Sequence, residues 1–107
     1  MNTFKLWING EWTDSKGGSR MQVIDPATGN PIAEVVDGSR ADVDAAVAAA
    51  HQAFYDGRWS RLLPSERALA LWRLADLLEK HMERFARAES ENTGKPYGYV
   101  SFGADMP

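Results

Sequence analysis

Apolar positions follow two rhythms along this chain. Near the start they alternate: Phe4, Leu6 and Ile8 are set off by Lys5 and Trp7, the period of a half-covered strand. Asn9-Gly10 follows, the strongest short signal for a tight hairpin turn, so Glu11-Trp12-Thr13 is predicted to return as the second strand. Trp7 and Trp12 then lie near each other across that hairpin. Asp14 to Ser19 is a loop by composition. A second hairpin is predicted around Asp25-Pro26-Ala27-Thr28-Gly29-Asn30, with Met21 to Ile24 and Ile32 to Val36 as antiparallel strands. Pro26 presets the turn, Asp25 bonds forward to backbone N–H groups, and Gly29 takes a positive φ.

Beyond Gly38 the rhythm becomes helical. Ser39 is predicted to cap a helix, with Asp42 three residues on. Val43, Ala46, Val47, Ala50 and Phe54 recur along it as an apolar stripe, and Gly57 ends it. Trp59 is expected to plug the edge of the core. Pro64-Ser65-Glu66 opens the next helix. There Leu71, Leu74, Ala75, Leu78, Met82 and Phe85 form a continuous stripe, widened by Leu69, Trp72 and Leu77. A stripe that wide needs partners on more than one side. The pattern runs to Asn92 as one helix, or as two with a kink near Lys80 to Glu83, and Thr93-Gly94-Lys95-Pro96 breaks it. Two hairpins followed by two or three helices make an α+β arrangement.

Bulk composition narrows the choice of partners. A chain of 107 residues supports one small domain, and 44% hydrophobic with 25% charged residues is ordinary for a folded soluble protein. The net charge of −3 gives no general attraction to nucleic acid or to acidic membranes. No apolar run approaches a membrane span, and no secretory signal is visible, so a cytoplasmic location is expected.

Residue patterns that carry chemistry are few in this chain. Cysteine is absent, which removes disulfides, thiolate metal sites and a thiol nucleophile. His51 and His81 fall in helical patterns without matched ligand spacing. Gly94-Lys95 fails as a phosphate loop, because the upstream glycine is missing, Pro96 stands where Ser or Thr is needed, and the segment ends a helix. Asp42 with Asp44, and Glu89 with Glu91, sit two apart on helices and face different ways. The serines have no histidine nearby in sequence to activate them.

Several segments taken together resemble a known family. Ile8-Asn9-Gly10-Glu11-Trp12, the Asp25-to-Gly29 turn, and Asp42-Val43-Asp44-Ala45-Ala46-Val47 with Ala53-Phe54 and Trp59 come first. Glu66-Arg67-Ala68, Leu74-Ala75-Asp76-Leu77-Leu78-Glu79 and Thr93-Gly94-Lys95-Pro96 follow in order. They resemble the amino-terminal segment of the aldehyde dehydrogenase superfamily, nearest to its betaine-aldehyde, aminoaldehyde and general members. Asp25 stands for the family's Asn and Asn30 for its Glu in the Asn-Pro-Ala-Thr-Gly-Glu hairpin.

The resemblance implies that residues 1–107 are the incomplete amino-terminal part of a cofactor-binding domain within an α/β aldehyde dehydrogenase fold. The parent would oxidise an aldehyde to an acid with NAD or NADP. The catalytic cysteine, general-base glutamate and Rossmann-type core belong to later segments, so no catalytic residue and no cofactor is expected for this chain. The expected partners are the remainder of the parent or another subunit, with self-association through the exposed stripe. The family's monovalent-cation ligands map onto the main-chain oxygens of Val23 and Ile24 and onto Asn92, here a neutral amide where a carboxylate is usual, which implies at most a vestigial site. Within the family the helix after Gly-Lys-Pro continues, so Asp105-Met106-Pro107 is expected to fall inside it, as in a truncated or excised fragment. The alternative is a free-standing, non-catalytic module that binds a partner such as a full-length dehydrogenase subunit.

Overall fold

Lys5 is where the first predicted strand divides. The computed structural model describes residues 1–101, and in it β1 (Asn2–Phe4) and β2 (Leu6–Ile8) belong to different sheets. β2 pairs antiparallel with β3 (Glu11–Thr13), with Trp7 directly opposite Trp12. Their rings meet at 4.8 Å between centroids, tilted by 60°. β1 instead lies parallel to β5 (Pro31–Val36), Asn2 opposite Ala33 and Phe4 opposite Val35. Alternation alone predicts one strand here, because the side-chain period continues through Lys5 while the hydrogen-bonding partner changes.

The three-stranded sheet runs β1-β5-β4, where β4 is Arg20–Ile24. Asp37 N–H donates to the Ser19 carbonyl at 3.0 Å, and Asp25 N–H to the Asn30 carbonyl at 2.9 Å, so β4 and β5 form the predicted antiparallel hairpin. β5 is central, with both backbone edges paired, and supplies the buried Ala33 and Val36. Across one face, Thr3 Oγ1 donates to Glu34 at 3.3 Å, and Arg20 pairs with Glu34 at 3.6 Å.

The turn at the tip behaves as its residues demand. Asp25 accepts from Ala27 N–H at 2.8 Å and from the Thr28 hydroxyl at 3.1 Å. Gly29, at φ 71°, donates its N–H to the Asp25 carbonyl at 2.8 Å. That left-handed backbone is strained for most residues with a Cβ, and glycine takes it at little cost.

Four helices follow among the described residues: α1 (Arg40–Tyr55), α2 (Pro64–Lys80), α3 (Met82–Thr93) and α4 (Tyr97–Ser101). Ser39 caps α1 and Gly57 follows its end, as predicted. The covered face of α1 differs from the predicted one. Asp42 is buried and Ala45, Ala46, Ala49 and Ala53 are partly covered, whereas Val43, Val47 and Phe54 are exposed. An alanine-rich helix carries apolar atoms all round, so periodicity cannot choose between two stripes. The small face is the one able to approach another backbone closely. Trp59, expected at the core edge, is 46% exposed.

His81 separates α2 from α3, which settles the choice between one helix and two. Its N–H still reaches the carbonyls of Leu77 and Leu78, while its own carbonyl starts the next ladder by accepting from Arg84 at 3.0 Å. Gly94 closes α3 in the left-handed conformation, φ 76°. Ala86 of α3 and Val100 of α4 are fully buried. The reading that places Asp105-Met106-Pro107 within a helix lies outside the described residues.

By proximity the chain forms two compact units. One comprises Met1–Val23 with Pro31–Leu63; the other comprises Ile24–Asn30 with the chain from Pro64 onward.

Candidate functional site

The most heavily coordinated side chain is Asp42, in the first unit. Its carboxylate accepts from the Ser15 hydroxyl at 2.6 Å, the Ser39 hydroxyl at 2.6 Å, the Ser39 N–H at 2.9 Å and the Lys16 N–H at 3.1 Å. Asp42 N–H in turn donates to Ser39 Oγ at 3.3 Å, completing a capping box. The side chain is only 4% exposed. The Ser15 and Ser39 hydroxyls and the Lys16 amide hold its carboxyl far below the usual carboxylate range. An oxyanion so fully donated to is a poor base. It ties the loop before β4 to the start of α1, and that is a structural task. Asp44 is exposed and makes no pair with it, as the spacing requires.

The other residues named from sequence are likewise accounted for locally. His51 is exposed on α1 with its ring 4.4 Å from that of Tyr55. His81 occupies the break between α2 and α3. Among the described residues, no group of three or more His, Cys, Asp or Glu side chains could hold a metal ion. Gly94-Lys95 terminates a helix: Ser90 Oγ donates to the Lys95 carbonyl at 2.6 Å, and Lys95 Nζ pairs with Glu89 at 3.2 Å. Val23 and Ile24 end β4. Asn92 lies in the last turn of α3, where its side-chain amide donates to the Ala88 carbonyl at 2.7 Å.

What α2 offers is surface. Leu69, Leu71, Leu74 and Leu77 are each more than half exposed, and Trp72 is 70% exposed. Trp72, Ala75, Leu78 and Met82 line an open hollow of about 400 Å³, edged by Asp76 and Glu79. A smaller one, about 250 Å³, lies beside Ala68, Leu71, Trp72 and Ala75. Scattered exposed leucines are ordinary, but a run of them with a tryptophan along one helix is the signature of an interface. The sequence predicts this face from its width. No helix among the described residues is long and apolar enough to cross a membrane.

A sequence model of the aldehyde dehydrogenase family matches residues 12–105. The chain belongs to the aldehyde dehydrogenase family. It is 43% identical over 103 residues to the mitochondrial aldehyde dehydrogenase family 2 member B4 of Arabidopsis thaliana, covering 96% of this chain and 19% of that protein. It is 46% identical over 94 residues to aldehyde dehydrogenase 1A1 of Macaca fascicularis, covering 87% and 19%. Among solved structures, an NAD+ complex of aldehyde dehydrogenase from Bacillus cereus superposes with a TM-score of 0.89 at 39% identity, covering 94% of this chain and 20% of that one. A betaine aldehyde dehydrogenase mutant from Staphylococcus aureus, in complex with NAD+, gives 0.90 at 31% identity, covering 94% and 21%. The chain thus spans about a fifth of the length of these relatives. Its strands-then-helices order is the amino-terminal part of the aldehyde dehydrogenase fold, as the resemblance implies.

Proposed function

We propose that this chain is the amino-terminal part of an NAD(P)-dependent aldehyde dehydrogenase, within its cofactor-binding domain, and that it carries no catalytic group of its own. The observation that supports this reading is the exposed apolar face of α2 in a chain matching a fifth of its relatives. Such a face is stable in water only when something covers it, and the parent's remaining segments are the covering surface. Oxidation of an aldehyde to an acid then belongs to the whole enzyme. Residues 1–107 supply structure: a capped α1, a shaped hairpin tip and a docking face. A free-standing module that binds a dehydrogenase subunit would use the same face. The reading frame after Pro107 separates the two, since a continuing frame with a Rossmann-type segment and a cysteine favours the first.

The chain alone is expected to be silent toward ligands. Purified protein incubated with NAD or NADP and a panel of aldehydes should give no reduced cofactor, and neither cofactor should raise its melting temperature. Sodium and potassium, at the Val23 or Ile24 carbonyls or at Asn92, are expected to bind weakly at most. The Asn92 amide nitrogen is committed to Ala88, and its oxygen brings no charge to a hard cation. Turnover that survives further purification, a cofactor-induced shift or tight saturable cation binding at fixed ionic strength would each overturn this. The cytoplasmic expectation stays part of the proposal; the relatives include proteins named mitochondrial and cytosolic, and fractionation decides.

The apolar face gives a positive test. The chain should bind a hydrophobic dye and self-associate as concentration rises. Charging one side of α2 with Leu71→Lys and Trp72→Glu should lower both signals while leaving the helical content in place. A dye-silent monomer at high concentration would show that the face is covered from within the chain.

A further inference from the structure

We infer that Asn9 is a site of spontaneous backbone rearrangement, and that its conversion to isoaspartate breaks the Trp7–Trp12 pair. This stands apart from the dehydrogenase reading and rests on the first hairpin alone. Asn9 and Gly10 form the turn between β2 and β3, with φ of 52° and 80°. Both residues are exposed, and a Cβ built on Gly10 would meet nothing within 4 Å. The turn lines an open hollow with Ala49, Ala50 and Ala53 of α1 and Arg58, so water reaches both residues.

The chemistry follows from that opening. The Gly10 backbone nitrogen attacks Cγ of Asn9. A Cγ–N bond forms, the Cγ–Nδ2 bond breaks, and the amide proton leaves with Nδ2 as ammonia. The resulting five-membered imide then takes up water at either carbonyl. Opening on one side leaves an aspartate with the normal backbone; opening on the other routes the backbone through Cβ. The balance is asparagine plus water to an acid plus ammonia, with no oxidant or cofactor.

The left-handed turn does not hold the two atoms in line, so the reaction runs when the hairpin opens. Although β2 rests on α1, the sheet has two strands of three residues each and both turn residues are exposed, so local opening at the turn is expected. The remaining candidates are protected. Asn30 precedes Pro31, which has no N–H. Asn92 is held in α3 by its bond to Ala88, and Asn2 and Asn92 both precede threonine, whose branched side chain crowds the attacking nitrogen. At Asp56-Gly57 the carboxylate is paired with Arg58 and Gly57 is buried. At Asp37-Gly38 the electrophile is a carboxylate, less open to attack than an amide, and it accepts from Ser19 at 3.1 Å.

The consequence is a change of register. The isoaspartyl linkage inserts a methylene into a turn whose length fixes which residues face each other. Trp7 can no longer sit opposite Trp12, since pairing depends on the residue count between the strands.

The test follows two signals during incubation in warm, mildly alkaline buffer. Fragmentation mass spectrometry that distinguishes the two linkages reads residue 9 against Asn2, Asn30 and Asn92. Circular dichroism reads the coupled tryptophan band. The expected result is isoaspartate building up at residue 9 well ahead of the other asparagines, with loss of the coupled band in proportion. Asn9→Gly, which tolerates the left-handed φ and has no side chain to cyclise, should keep the band through the same incubation. No preference for residue 9, a band that survives full conversion, or equal decay in the Gly variant would each overturn the inference.

Discussion

Asp42→Ala is expected to lower the thermal midpoint of the chain by roughly 5–15 °C, with the loop before β4 and the first turn of α1 loosening together. The substitution does more than remove a cap. It leaves the Ser15 hydroxyl, the Lys16 N–H and the Ser39 N–H without the acceptor that gathers them. Those donors are part-buried, and recovering water as a partner requires opening the loop. Asp42→Asn should fall between the two, because an amide oxygen can still accept while its NH2 group faces other donors. The helical signal on heating measures both variants, and an Asp42→Ala protein that melts with the parent would show that the network is ornamental.

The same carboxylate sets a pH dependence, whose sign is fixed by the direction of its shift. Asp42 in the folded chain is depressed below its unfolded value of 3.8, so its contribution is complete above that value. It is lost as pH falls below about 4 and on toward the folded value. Acid titration of the parent should therefore show a loss of stability in that range that the Asn variant largely lacks.

Gly94→Ala is expected to cost about 1–2 kcal/mol, through two separable causes. The residue closes α3 at φ 76°, a conformation strained for any side chain but asparagine's. An added Cβ would also stand 3.0 Å from Cγ of Pro26, within the same unit. Gly94→Asn isolates the second cause, since asparagine tolerates the backbone and still brings the Cβ. Pro26→Ala combined with Gly94→Ala isolates the first. Denaturant midpoints of the four proteins complete the comparison. If Gly94→Ala is neutral, neither cause operates and the α3 terminus is not held by this glycine.

How much was legible in advance differs from element to element. Turn and cap chemistry, whose partners lie within a few residues, is legible in the sequence. Asn9-Gly10 sets the first hairpin and brings Trp7 near Trp12, while the register that places them directly opposite comes from the structure. Asp25 and Gly29 set the second turn, and Ser39 with Asp42 set the start of α1. The bareness of α2 was legible too, since the stripe from Leu69 to Phe85 is wider than two small hairpins can cover. The family emerged from the order of these pieces, each weak alone.

Three features were decided only by the tertiary structure. The change of sheet at Lys5 depends on β5 being available beside β1, a partner about thirty residues away that alternation cannot name. The choice of α1 face depends on how closely another backbone approaches, and alanines look alike to a periodicity count. The Asp42 carboxylate gains Ser15 and Lys16 only when the distant loop folds onto the helix start. In each case a contact distant in sequence decides the outcome, and local periodicity cannot name it.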